Sequence, residues 1–432
     1  MSDVQPTGEM LPVTQLKKNQ WIRLKQQLSF QQQHIPYYKE LFEEISFDPE
    51  KLSAYQPLRR FPVLTKAKVR QAPEKFLNPS VQYFFSSLSS GSTGEPFESR
   101  FDVNTWIRRK FLSKYRKRFQ LGMAPFQKVA VLECTDTNAI AKMNRHALFT
   151  WPLLRIRYYS VFDSPDIHLT QLQKFRPHTL CGYPGHLSTL AAHAEANNAV
   201  SFHPSRIFTS SEYLTDISRN RIERVFSAPV YDHYGCAEFK EVAWQCHHRD
   251  AYHVASDEVY VEILSKRKQV LDCDAIYGEL VITDLRNTVM PLTRYKTGDL
   301  AYRVKQCECG YEGACIKLIS GRSSEQLQLG KGLTMSPYRI TTFMEQFPQI
   351  VQYQLEQKKP REVFVNTVWR EFPNAFEQAK VEGEMKILCS DELNVKLLVV
   401  KRIPPEKNGK TPVLKQHLKP IPEEILRDSI DE

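Results

Sequence analysis

The sequence predicts an α/β protein, with a large N-terminal domain over residues 1–320 and a small α+β C-terminal domain over residues 321–432. Three observations carry that expectation. Short apolar runs such as Val129-Ala130-Val131-Leu132 alternate with helical segments such as 167–175 and 187–197, the texture of a sheet with helices packed on its faces. After Gly321-Arg322 the texture changes to a compact mixture of strands and helix. The chain has 432 residues, 41% of them apolar, which is length enough for two or three domains and a large buried core.

Taken in order, residues 16–44 carry Trp21, Ile22, Leu24, Leu28 and Phe30 at near-helical spacing and break at Pro36, an opening helical region. Residues 61–77 read as a turn into a short helix capped by Thr65. The chain then becomes rich in serine and glycine over 86–94. Residues 215–226 make a helix that Thr215 caps and along which Ile217, Ile222, Val225 and Phe226 form one apolar stripe. Strands are expected at 259–264 and 279–283, and in the C-terminal part at 363–368 and 395–400, with a helix near 337–347.

Composition excludes whole classes. With 25% charged and 11% aromatic residues the chain is neither disordered, collagenous nor a disulfide scaffold. No run approaches the roughly 18–20 apolar residues that span a bilayer, and residues 1–20 lack the basic start and apolar stretch of a secretory signal. A cytoplasmic enzyme with no membrane partner is the expectation. Nine scattered cysteines, an odd number, then argue for reduced thiols. The net charge of +10 is spread along the chain with no nucleic-acid-binding pattern, so an anionic small molecule such as a nucleotide or coenzyme A, or an acidic carrier protein, accounts for it better than nucleic acid does.

Three motifs carry chemistry. In Ser89-Ser90-Gly91-Ser92-Thr93-Gly94-Glu95-Pro96, small residues let backbone N–H groups approach an oxyanion while hydroxyls wrap phosphate oxygens. It is not the Walker pattern, because no Gly-Lys-Ser/Thr follows, and a plain flexible loop is the alternative. Tyr234-Gly235-Cys236-Ala237-Glu238 offers an aromatic face, a glycine for close backbone approach and a carboxylate able to hold Mg²⁺. The alternative there is a core tyrosine beside a solvated glutamate. Arg294-Tyr295-Lys296-Thr297-Gly298-Asp299 ends in a carboxylate whose two oxygens match a ribose diol, or is a surface turn.

The order and spacing of these motifs, together with Phe61-Pro62-Val63-Leu64-Thr65-Lys66, Gly182-Tyr183-Pro184, Ser211-Glu212, Cys307-x-Cys309-Gly310, Gly321-Arg322 and Gly409-Lys410, resemble the adenylate-forming superfamily of acyl-CoA synthetases and ligases. Within it the chain is most similar to the shorter phenylacetate-CoA ligase and coenzyme F390 synthetase branch. The resemblance implies a two-step reaction, in which a carboxylate attacks the α-phosphate of ATP and a nucleophile, usually a thiol, then displaces AMP. It implies that Ser89, Ser90, Gly91, Ser92, Thr93 and Gly94 hold the β and γ phosphates. Tyr234, Gly235 and Glu238 are implied near adenine and Mg²⁺, Asp299 on the ribose and Arg294 nearby. It also implies a mobile C-terminal domain that brings Lys410 to the adenylation step and turns about a hinge at Arg322 to Glu325. A lysine suits that step because its point charge can bridge the substrate carboxylate and the α-phosphate.

The chain departs from the family in two places. Glu95 stands where the phosphate loop usually carries lysine, and Ser323-Ser324-Glu325 occupy the hinge where aspartate or lysine is usual. The first departure motivates a more distant reading, a non-catalytic nucleotide-binding module. A nearer alternative is adenylyl transfer to a cofactor hydroxyl, as in the F390 synthetases.

The cysteines add a metal expectation. Cys-x-Cys-Gly makes a rubredoxin-like turn that presents two thiolates to one ion, and a distant Cys and His complete a tetrahedral Zn²⁺ site. Cys246, His253, Cys307 and Cys309 are the expected ligands, with Cys315 and His248 in reserve. Unmetallated buried thiols and a catalytic Cys/His pair are the alternatives. The combined expectation is a cytoplasmic ATP- and Mg²⁺-dependent enzyme activating a carboxylic acid for coenzyme A or a carrier-protein phosphopantetheine, a homodimer being allowed. Acid selection is expected around 182–184, 209–212 and 231–234, whose aromatic residues favour an aromatic acid.

Overall fold

A computed structural model describes residues 13–52, 56–82, 84–88, 97–148, 154–197, 199–200, 202–264, 277–311, 313–322, 327–330, 333–335, 337–344, 346–389, 393–406 and 409–418. The chain divides into two compact units, each assembled from two stretches: Met1–Met123 with His233–Leu318, and Ala124–Asp232 with Ile319–Glu432.

The first unit opens with the helix Val13–His34, which ends at Ile35 because Pro36 starts a second helix, Pro36–Glu44. Thr65 caps the short helix Lys66–Gln71 by accepting the Lys68 N–H at 3.2 Å. Strands Val259–Leu264, Tyr277–Asp284 and Tyr295–Val304 form an antiparallel meander in which Ile263 faces Leu280 and Ile282 faces Tyr295. Leu24, Leu28, Phe42, Phe61, Leu280, Ile282 and Tyr295 are buried in one core, so the opening helices are clamped onto this sheet. A buried ionic network reinforces it. Arg109, fully buried, donates to both oxygens of Asp284 at 2.8 and 2.9 Å and to Glu258 at 3.2 Å. Burial alone would lower the Arg109 pKa, but the two carboxylates outweigh it and the pKa is raised.

In the second unit, Lys128–Glu133 pairs in parallel with Arg155–Ser160 on one side and Thr179–Gly182 on the other, and Thr179–Gly182 pairs onward with Arg206–Ser210. Parallel neighbours need crossover connections, and the helices Thr137–Ala147, Pro165–Phe175 and Pro184–Ala196 supply them. Helix Asp216–Phe226 comes next, with Thr215 accepting the Ser218 N–H at 3.1 Å, and Ile222, Val225 and Phe226 are buried.

Residues 327–414 gather a hydrophobic cluster of their own, including Leu327, Ile340, Leu355, Val365, Trp369, Met385 and Leu414. Their sheet runs Asn394–Val399, Glu362–Trp369, Ile350–Lys359, Leu414–Gln416, with Ile350–Lys359 and Glu362–Trp369 antiparallel and the two outer strands added in parallel. Helix Ala375–Leu388 starts on a capping box made by Asn374 and Glu377.

Candidate active site and cysteine cluster

The strand Val230–Cys236 carries Tyr234, and the Tyr234 hydroxyl donates to Asp299 Oδ2 at 2.6 Å. Burial first, and the Asp299 charge next, push the Tyr234 pKa up, so the phenol stays a donor and holds the aspartate in place. Asp299 is also ordered by its own turn, its backbone N–H donating to Thr297 Oγ1 at 3.1 Å. Gly235 is required by space. A Cβ there would lie 2.3 Å from the Lys240 carbonyl oxygen, at a register shift between Tyr234 and Gly235 against the strand Lys240–Gln245. Such a bulge re-aims the next few residues of the chain, Glu238 among them.

Glu238 is buried, with its Oε1 accepting from the Tyr295 hydroxyl at 2.8 Å and facing Lys66 Nζ at 3.5 Å. Both partners meet Oε1, which leaves Oε2 as the oxygen a divalent cation can take. Sequence alone assigned no role to Tyr295 or Lys66, although both lie in motifs that stand out in it. Arg294 has a structural position: its buried guanidinium donates to Glu262 at 3.0 Å and to the Phe61 carbonyl at 2.7 Å. The expected phosphate loop, Ser89 to Gly94 with Glu95, lies outside the described residues, as do Ser323 to Glu325 of the expected hinge. Arg322 ends the strand Cys315–Arg322, and its side chain is likewise outside them.

In the second unit, Lys410 sits in a tight turn: the Glu406 N–H donates to the Lys410 carbonyl and the Gly409 N–H to the Glu406 carbonyl, both at 2.8 Å. Gly409 has φ +73°, and a Cβ on it would stand 2.6 Å from both Cβ and Sγ of Cys134 and 3.2 Å from Val161 Cγ2. Only glycine fits, by backbone conformation and by space. Cys134 has its pKa raised by burial and by Glu133, with the Lys410 charge opposing. Next along, the Thr411 N–H donates to Glu212 Oε1 at 2.7 Å, while Glu212 Oε2 accepts the Gly185 N–H at 2.9 Å. Glu212, grouped by its sequence position with acid selection, therefore has both carboxylate oxygens committed to backbone N–H groups.

Cys246, His253, Cys307 and Cys309 come together, one ligand atom of each lying within 4.8 Å of all the others. Cys246 Sγ is 3.5 Å from Cys307 Sγ, and Cys309 Sγ is 3.4 Å from His253 Nε2. A tetrahedron with zinc bonds of about 2.0–2.3 Å has edges of roughly 3.3–3.8 Å, a range that these two separations match, while the set as a whole spreads over up to 4.8 Å. The Tyr311 ring stacks on His253 at 4.0 Å and 7°, fixing the imidazole plane, and Cys307 Sγ donates to Asp250 Oδ1 at 3.2 Å. Burial lowers the His253 pKa to about 4, keeping the ring in the neutral form a metal needs. The two reserves are not among the four donors: Cys315 packs beside them, in register with His253, with its thiol turned to the Gly313 carbonyl, and His248 faces Glu308. Among the described residues no cysteine is joined in a disulfide, Cys134, Cys181, Cys236 and Cys389 included. No helix among the described residues is long and apolar enough to cross a membrane.

No protein-family model matches the chain. Relatives nevertheless cover most of it. Protein CapK of Staphylococcus aureus is 24% identical over 409 residues, spanning 90% of this chain and 86% of its own length. The phenylacetate-coenzyme A ligase of Escherichia coli strain K12 is 25% identical over 371 residues, spanning 81% and 80%. Among solved structures, 2-hydroxyisobutyryl-CoA ligase in the postadenylation state with R3-HIB-AMP superposes with a TM-score of 0.75 at 18% identity, covering 96% of this chain and 92% of that one. The same ligase with 2-HIB-AMP and CoA in the thioesterification state gives 0.60 at 20% identity, covering 95% and 92%. The chain has the fold of the adenylate-forming CoA ligases and is a sequence relative of the phenylacetate-coenzyme A ligases over most of its length.

Proposed function

We propose that this protein is an AMP-forming acid–thiol ligase, which activates a carboxylic acid with ATP and passes the acyl group to coenzyme A. The observation that carries the reading is the pairing of Tyr234 with Asp299 and of Glu238 with Tyr295 and Lys66, which brings together motifs that lie far apart in the sequence. In the first half-reaction a carboxylate oxygen of the acid bonds to the α-phosphorus, the bond to the bridging oxygen breaks and pyrophosphate leaves. In the second, the thiol sulfur bonds to the acyl carbon, AMP departs and the thiol proton is lost.

Asp299, held by the Tyr234 hydroxyl, is suited to accept the ribose hydroxyls, and Tyr234 and Gly235 shape the adenine side. Ser89 to Gly94 are the proposed phosphate loop. Glu238 would hold Mg²⁺, which when bound neutralises phosphate charge. Lys410 supplies the mobile cation of the adenylation step. Residues beyond about 320, with their separate core, form the moving domain. Cys246, His253, Cys307 and Cys309 hold a structural Zn²⁺ that ties the turn at 307–310 to the strand Tyr252–Val254. The acid is proposed to be aromatic, with coenzyme A favoured over a carrier protein as acceptor by the relatives' names.

The test is acid-dependent ATP–pyrophosphate exchange across a panel of acids that includes phenylacetate, followed by thioester formation with coenzyme A. Lys410→Ala should lower exchange by about 100-fold or more, as loss of a group acting on transition-state charge does. Exchange absent with every acid, or unchanged in Lys410→Ala, would overturn the reading.

A further inference from the structure

The Glu212 side chain bridges two pieces of backbone that are far apart in sequence. One oxygen takes the Gly185 N–H, at the first turn of the helix Pro184–Ala196, and the other takes the Thr411 N–H, one residue beyond Lys410. The bonds are 2.9 and 2.7 Å, the second of them short for an N–H donor, and the helix terminus adds its positive dipole end to the Gly185 side. The carboxylate sits close against both partners. A Cβ on Gly185 would lie 3.0 Å from Glu212 Oε2 and 3.6 Å from Thr411 Cβ, so the helix start, the carboxylate and the lysine-bearing turn are stacked in direct contact. Ser211, at φ +74°, turns the chain to aim Glu212 into this gap.

We propose that Glu212 is a positioning residue, a latch that seats the Gly409-Lys410-Thr411 turn for the adenylation half-reaction and lets go of it when the lysine withdraws. The inference rests on the acid–thiol ligase reading and adds to it the element that sets how long Lys410 stays in place. Its physical basis is an exchange of partners. In the seated form the Thr411 N–H and the Lys410 charge both offset the cost of enclosing a carboxylate, a cost that raises the Glu212 pKa. When the turn leaves, water replaces Thr411 at one oxygen while Gly185 keeps the other, so the carboxylate is never stranded. A residue that serves only to hold the helix start would need one oxygen, not two.

The test compares Glu212→Gln and Glu212→Ala with the full-length wild type. The glutamine variant keeps the volume but presents an amide N–H to one of the two backbone donors, and the alanine variant removes both bonds. Three readouts are taken. Phenylacetate-dependent ATP–pyrophosphate exchange reports the first half-reaction, conversion of supplied phenylacetyl-adenylate and coenzyme A to thioester reports the second, and amide hydrogen exchange of a peptide spanning 409–413 reports seating directly. The latch predicts that pyrophosphate exchange falls about ten- to a hundred-fold, the value of one charge-assisted hydrogen bond, with thioester formation changed by less than about two-fold. Amide exchange at 409–413 should rise by a similar factor while that of the strand Glu362–Trp369 stays unchanged.

Equal loss in both half-reactions, or unaltered amide exchange at 409–413, would overturn the proposal. Should the wild type fail to use any acid, the ligase reading falls, and the amide-exchange comparison still decides whether Glu212 seats the turn.

Discussion

Replacing Gly409 by alanine tests the seating of Lys410 from the opposite side of the turn. The residue has φ +73°, a backbone that costs a side-chain-bearing residue about 1–2 kcal/mol. The new methyl would also land 2.6 Å from Cys134 Sγ and Cβ, whereas carbon contacts settle at about 3.5–4.0 Å, so the turn must back away by roughly 1 Å. Overpacking of this kind adds about 1–3 kcal/mol. Together the two terms disfavour the seated turn by about 2–5 kcal/mol, which lowers its population by roughly 30-fold at the least. Initial rates of phenylacetate-dependent ATP–pyrophosphate exchange should fall by that factor in Gly409→Ala. Thioester formation from supplied phenylacetyl-adenylate should remain within about two-fold of the wild type. Cys134→Gly in the same chain removes the overlap but not the backbone cost, so the double variant should recover to roughly ten-fold below the wild type. Wild-type exchange in Gly409→Ala, or no recovery in the double variant, would refute this account of the turn.

Elemental analysis should find about one zinc per chain, and Cys309→Ala should lose it and unfold at a lower temperature; a metal-free protein of unchanged Tm would remove the structural ion. Arg109→Met leaves the buried Asp284 carboxylate without its cation, while Glu258 keeps Arg108 and Arg286, so the urea midpoint should report a loss of about 3–5 kcal/mol. A loss under about 1 kcal/mol would show the network to be dispensable. His186 is pushed down from 6.5 to about 3, first by burial and then by His168 and Arg402. The unfolded chain therefore takes up the proton in the window between those values while the folded one does not, and stability should fall by about 2 kcal/mol from pH 7 to pH 5 through this group alone. His186→Gln should flatten that part of the urea-midpoint profile, and an unchanged slope would assign the acid sensitivity elsewhere.

What was legible in the sequence was local. Thr65 and Thr215 could be read as caps because capping spans only three residues, and Pro36 as a break because proline cannot continue a helix. The alternation of apolar runs and helices between 129 and 226 pointed to a sheet with helices on its faces for the same reason, since each element's period is set by its own backbone, and the parallel pairing came only with the structure. Cys307 and Cys309 were legible as a pair because Cys-x-Cys-Gly constrains its own turn, and Cys246 and His253 followed only as the further thiol and imidazole that a four-donor site demands. Partnerships across long separations were not. Glu212 and Thr411 are 199 residues apart, and Glu238 and Tyr295 are 57 apart, with no periodicity linking either pair. The interleaving of the two compact units was equally hidden, because the chain leaves the first at Met123 and returns at His233 without a linker-like composition. Arg294 shows a further kind of contact that its motif did not reveal, its guanidinium donating to Glu262 and to the Phe61 carbonyl.

The private oil of residues 327–414 has an economy of its own. What fastens that body to the parallel-stranded half of its unit includes two directional, polar attachments, the Arg221 guanidinium on the Val351 carbonyl and the Thr411 amide on Glu212, beside the close packing of Gly409 against Cys134. In the proposed domain movement each of these hydrogen bonds would be exchanged for water one at a time, so that letting go would resemble unbuttoning more than melting.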